Sequence, residues 1–89
     1  MFRITLVCEG VPASAGETVA KDIQREFAEH RPHHENVTCR FANGELALTA
    51  ENDFDPEGLA LMDEFCDCIT AYVAEPFDGE IRLAAATTV

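Results

Sequence analysis

Apolar and polar residues alternate from the first positions of the chain: Phe2, Ile4, Leu6 and Cys8 share one side, and Arg3, Thr5, Val7 and Glu9 the other. A period of two is the mark of a strand with one buried face. Gly10-Val11-Pro12 interrupts it, and the period then lengthens to that of a helix. Val19, Ala20, Ile23 and Phe27 fall on one arc, while Glu17, Lys21, Asp22, Arg25 and Glu29 take the opposite side. Ser14-Ala15-Gly16-Glu17 fits a capping box, in which the hydroxyl and the carboxylate satisfy orphan amides reciprocally. Glu17 and Lys21 have the favourable four-residue spacing, His30 and Arg31 suit the negative end of the dipole, and Pro32 closes a helix predicted to reach about His30.

The next segment alternates on both sides of Asn43-Gly44: Val37, Cys39 and Phe41 before it, Leu46, Leu48 and Ala50 after it. Asn-Gly between two alternating runs predicts a type I′ hairpin, because both turn residues need positive φ. A two-residue loop sets Ala42 opposite Glu45, Phe41 opposite Leu46, Cys39 opposite Leu48 and Val37 opposite Ala50, so every apolar member lands on one face.

Asp55-Pro56-Glu57 reads as the cap and first two positions of a second helix, with its acids at the positive end of the dipole. That helix is predicted to run to about Ala74, ahead of Pro76. Leu59, Leu61, Met62, Phe65, Cys66, Cys68, Ile69, Tyr72 and Val73 cover close to half its circumference, and Asp63, Glu64 and Asp67 the rest. An arc this wide exceeds what a surface helix usually buries. Leu61, Cys68 and Tyr72 at its edge are therefore expected to stay exposed, an apolar strip through which helices pair in a homodimer. Asp78-Gly79 supplies a turn, after which Ile81, Leu83 and Ala85 alternate with Arg82, Ala84 and Ala86.

The order is β-α-β-β-α-β over residues 1–89, one domain without repeats. Two right-handed βαβ units joined by a hairpin resemble the ferredoxin-like sandwich: an α+β fold with a four-stranded antiparallel sheet and both helices on one face. That architecture hosts many unrelated activities and names none of them.

Charge changes the picture more than composition does. The chain carries 17 acids against 6 Lys and Arg, a net charge of -11, and between Arg40 and Arg82 there is no base at all. The first forty residues are nearly neutral, so about ten of the eleven net negative charges lie from Phe41 onward. Such a field attracts basic surfaces and repels nucleic acid and anionic lipid. No apolar run approaches the roughly 18 residues of a membrane span. The opening nine residues do not resemble a signal peptide. Four cysteines without a secretory context predict reduced thiols in a cytoplasmic protein.

Candidate chemistry follows from that composition. RNA-recognition domains of this architecture stack bases on aromatic residues of the open sheet face in a basic surround. Here those positions hold Arg3, Thr5, Val7, Glu9, Glu45, Ala47 and Thr49, which argues against nucleic acid. Leu6-Val7-Cys8-Glu9-Gly10 faintly resembles the phosphate loop of low-molecular-weight tyrosine phosphatases, but Ser14 stands where the clamping Arg belongs, and Cys8 alternates in phase with the core. Cys66 and Cys68 point about 200° apart on a helix and cannot chelate together. His33 and His34, in the loop after Pro32, read as solvated. Asp53-Phe54-Asp55-Pro56-Glu57-Gly58, with Glu64 beyond, resembles the EF-hand loop. The resemblance implies calcium held by Asp53, Asp55, Glu57, the Leu59 carbonyl and Glu64. Glu at the third ligand and Pro56 depart from that pattern.

These observations lead to the expectation of a non-enzymatic module without cofactor or metal. It binds a basic protein through Glu51, Asp53, Asp55, Glu57, Asp63 and Asp67, with Leu61 and Tyr72 as apolar anchors, in the manner of an inhibitor that imitates nucleic-acid phosphates. Calcium binding through residues 53–64 is the alternative from another class. A small-ligand regulatory domain, or a soluble fold whose charge has no special role, is a third.

Overall fold

The computed structural model describes residues 1–73 and 80–89. Its elements are β1 (Phe2–Glu9), α1 (Ala13–His30), β2 (Glu35–Ala42), β3 (Glu45–Asn52), α2 (Leu59–Tyr72) and β4 (Ile81–Thr88). The strands form one antiparallel sheet in the order β2-β3-β1-β4. With two helices in βαββαβ order, this is the α+β ferredoxin-like arrangement. No helix among the described residues is long and apolar enough to cross a membrane.

The period-two residues of the central strands meet the period-3.6 residues of the helices in one core. Ile4, Leu6 and Cys8 of β1 and Leu46, Leu48 and Ala50 of β3 lie under Val19, Ala20, Ile23 and Phe27 of α1 and under Leu61, Phe65, Cys68 and Ile69 of α2. Asn43 at φ 54° and Gly44 at φ 78° make the type I′ turn, and the ladder holds at Ala42/Glu45, Phe41/Leu46 and Cys39/Leu48. It slips beyond Thr38: Glu35 faces Glu51, and the expected Val37/Ala50 pair is not formed. Asn36, at φ 51°, sits in that irregularity and donates its side-chain amide to Glu51 Oε1 at 2.8 Å.

Helix starts depart from the sequence reading. α1 begins at Ala13, with Pro12 rather than Ser14 at the cap position, because the Pro12 carbonyl already accepts the amides of Ala15 and Gly16, both at 3.0 Å. No side chain caps it, so the capping box is not used. Gly16 matters for another reason: a Cβ there would overlap the Phe41 ring, which lets α1 approach β2 closely. α2 begins at Leu59, after Gly58 in the left-handed region at φ 75°, rather than at Pro56. It ends at Tyr72; Ala74, Pro76 and the Asp78-Gly79 turn lie outside the described residues.

The strip expected on α2 is also corrected. Leu61 is fully buried and Cys68 nearly so, leaving only Tyr72 exposed, at 37%. α2 lies against α1 as well as over the sheet, and a helix with two neighbours buries a wide arc. In β4 the alternation breaks. A bulge opposite Thr5/Leu6 puts Leu83 beside Leu6 and Ala86 beside Ile4, while Ala85 falls to the other face beside Thr5.

Candidate functional site

The turn from α1 into β2, the end of β3 and the second turn of α2 converge on a buried polar network. His34 packs its ring out of contact with solvent against Phe27 and Phe54, with centroids 5.7 and 5.8 Å away. Its Nε2 lies 2.8 Å from Glu64 Oε1, and its Nδ1 3.3 Å from the side-chain nitrogen of Asn52. Asn52 Oδ1 accepts the amides of Phe54 at 3.2 Å and Asp55 at 2.9 Å. Those two donors fix the orientation of the Asn52 amide, so Nδ2 must donate to His34 Nδ1. Nδ1 is therefore the acceptor, and Nε2 carries the proton that it donates to Glu64.

Asp55 extends the network into α2. Its Oδ1 accepts the Ala60 amide at 3.3 Å and its Oδ2 the Leu61 amide at 3.0 Å. The carboxylate is buried because it serves the orphan amides at the positive end of the helix. It caps from farther back than expected, the chain turning through Pro56 and Glu57 before the helix starts.

Glu64 is drawn inward from the acidic face predicted for it, with 14% of its side chain exposed. His33 Nε2 stands 3.3 Å from its Oε2 and 3.5 Å from its Oε1, and Arg31 Nη1 3.3 Å from Oε2. These are ion-pair distances, yet Oε2 and Arg31 Nε are both buried without a well-aligned hydrogen bond. His33 is about half exposed and forms the outer lip beside Phe54, which is itself 50% exposed.

The expectation that both histidines are solvated fails for His34. β3 carries the signal that places it: Asn52 continues the inward phase of Leu46, Leu48 and Ala50, so a polar side chain had to meet a partner inside. Glu64 follows Leu61 by three residues and precedes Phe65 and Cys68, on the shoulder of the buried arc.

The carboxylates expected to form one outward field separate into two groups. Glu51 is neutralised across the sheet by Arg3, whose Nε donates to Oε2 at 2.8 Å. The Asn36 and Arg3 hydrogen bonds hold its carboxyl below the usual value. Asp55 is buried in the cap, and Leu61 lies in the core rather than at an apolar anchor site. Asp53, Glu57, Asp63 and Asp67 are exposed, and among the described residues none of them makes an ion pair. The EF-hand donors do not gather: Asp55 is committed to the α2 amides, and Glu64 to His33 and His34.

All four cysteines are free thiols; only Cys66 is exposed. Burial pushes the Cys8 thiol up to about 11 and Cys39 up to about 12, which makes both unreactive. Cys68 is also raised by burial, with Arg31 nearby opposing the shift. Tyr72, exposed at the end of α2, has its phenol raised by partial desolvation against its neighbours and then by Glu26 of α1.

Comparison with family models, with curated proteins and with solved structures finds no match to this chain.

Proposed function

We propose that this protein is a non-enzymatic binding module that docks a basic protein surface along α2 and the connector before it. The observation that carries this reading is the division of the carboxylates. Arg3, Arg25, Arg31 and Arg82 are engaged with Glu51, Asp22, Glu64 and Glu9, while Asp53, Glu57, Asp63 and Asp67 are exposed without a counter-charge among the described residues. Asp63 and Asp67 stand one helical turn apart, about 6 Å along the axis. Holding two like charges there costs the helix a few tenths of a kcal/mol. Carboxylates at such spacing offer Lys and Arg side chains the pattern that nucleic-acid phosphates offer, which suits an inhibitor acting as a phosphate mimic.

Apolar contacts flank the strip. Leu59 is 63% exposed at the start of α2, and Tyr72 marks its end, so Leu59 takes the role expected of Leu61. Contact between exposed charges is screened beyond about 8 Å at physiological ionic strength, so the complex should dissociate as salt rises. Retention of a partner from lysate on immobilised protein, compared at about 50 mM and about 500 mM salt, tests this. A partner eluted by the higher salt supports the reading, and one held equally at both contradicts it.

A further inference from the structure

We propose that His33, His34 and Glu64 form a three-ligand site for a divalent cation of the zinc class, a role separate from the acidic strip. The ligand atoms of the three residues all lie within 4.8 Å of one another. A tetrahedral ion with bonds of about 2.0–2.1 Å separates its ligands by about 3.3 Å. The observed separations of 2.8 Å for His34 Nε2 to Glu64 Oε1, and 3.3 and 3.5 Å for His33 Nε2 to the two carboxylate oxygens, bracket that value. Two imidazoles and one carboxylate suit a borderline ion rather than calcium or magnesium, which take oxygen donors.

A second observation points the same way. Glu64 Oε2 is buried without a hydrogen bond, with His33 Nε2 and Arg31 Nη1 facing it. An ion between the two histidines and the carboxylate would satisfy that oxygen. His33 is about half exposed, so the fourth coordination position opens to solvent and would be taken by water.

Two residues oppose the ion, and they make the proposal sharp. Arg31 places a positive charge against Glu64, but 29% of its side chain is solvent-exposed, which gives it room to withdraw. Asn52 holds His34 in the tautomer whose Nε2 bears the proton. Binding through Nε2 moves that proton to Nδ1, which then needs an acceptor. Asn52 can supply its oxygen only by turning over and releasing the Phe54 and Asp55 amides. Asp at this position would serve both sides at once, one oxygen for the two amides and the other for Nδ1–H. That is the carboxylate–histidine–metal relay that strengthens many sites.

The test is titration of zinc chloride into the full chain, followed by calorimetry and by the melting temperature. One equivalent should bind and raise the melting temperature, since a ligand held only by the folded state must do so. Glu64→Gln keeps the shape of the side chain and still accepts from His34, and His33→Ala removes an exposed group, so both retain the fold. Each removes a direct ligand and should weaken zinc by more than the about 10- to 100-fold that loss of an outer-shell partner costs. Arg31→Gln and Asn52→Asp should each tighten it, Asn52→Asp by about tenfold. His30→Ala, on an exposed histidine outside the cluster, should change nothing. The absence of any melting shift in the parent protein overturns the proposal. So does a loss on His30→Ala equal to that on Glu64→Gln, which marks adventitious surface binding.

Discussion

Replacing Asp55 by Ala removes both acceptors of the α2 start while leaving the exposed acids untouched. The Leu61 amide, on a fully buried residue, loses a partner at 3.0 Å, and the less buried Ala60 amide loses one at 3.3 Å. A hydrogen bond to a charged group contributes about 1.5–3 kcal/mol, and a buried donor left without a partner costs about 1–3 kcal/mol. Loss of a carboxylate at the positive end of a helix adds about 0.5–1 kcal/mol. Water reaches Ala60 in the variant, so the full cost falls mainly on Leu61, and the sum is about 3 kcal/mol. For a domain of this size that lowers the melting temperature by about 12–24 °C. Asp55→Asn keeps one oxygen and should lose about half as much. Urea unfolding at neutral pH measures both, with an unchanged slope showing that the same surface is exposed. A loss below about 1 kcal/mol for Asp55→Ala would refute the assignment and return Asp55 to the surface charges.

Leu61→Ala empties a fully buried core position and should cost about 2–5 kcal/mol by the same unfolding assay, whereas a surface anchor would cost almost nothing. Glu51 has its carboxyl lowered from the ordinary 4.5 by Asn36 and Arg3, so its contribution is present above the normal carboxylate range and is lost as pH falls through the lowered value. Glu51→Gln should therefore flatten the acid limb of the stability curve. Cys8 and Cys39, raised from 9.0 to about 11 and about 12, stay protonated in the folded protein while the unfolded chain ionises. Stability is present below pH 9 and declines as pH rises from 9 towards those values, and Cys39→Ala should make that alkaline limb shallower. Brief alkylation at neutral pH, read by mass spectrometry, should modify Cys66 alone.

An element of this fold is legible where it follows one dominant period. β1, the hairpin and α1 are such segments, and Asn43-Gly44 adds a turn that only one geometry satisfies. What escapes is decided by tertiary contacts. The apolar arc of α2 suggests an exposed strip only if the sheet is its sole neighbour, and α1 covers the rest. Asp55 and Glu64 look like two more surface acids, since sequence spacing does not reveal that Asn52 and His34 arrive beside them from other elements. Arg3 and Glu51 are 48 residues apart and pair only because β1 lies next to β3. The bulge in β4 sits in a run of alanines, where neither phase of the alternation is favoured by side-chain size.

The most direct test of the α2 docking surface is a pair of charge reversals equal in net effect and different in place. Asp63→Lys with Asp67→Lys alters the outer face of α2, and Glu17→Lys with Glu29→Lys makes the same change in charge on exposed positions of α1. Both proteins are immobilised and exposed to the partner that elutes from the parent at raised salt. Loss of that partner from the α2 variant and its retention by the α1 variant is the predicted result. Equal retention, or equal loss, would show that the charge acts only in bulk and that α2 is not the contact surface.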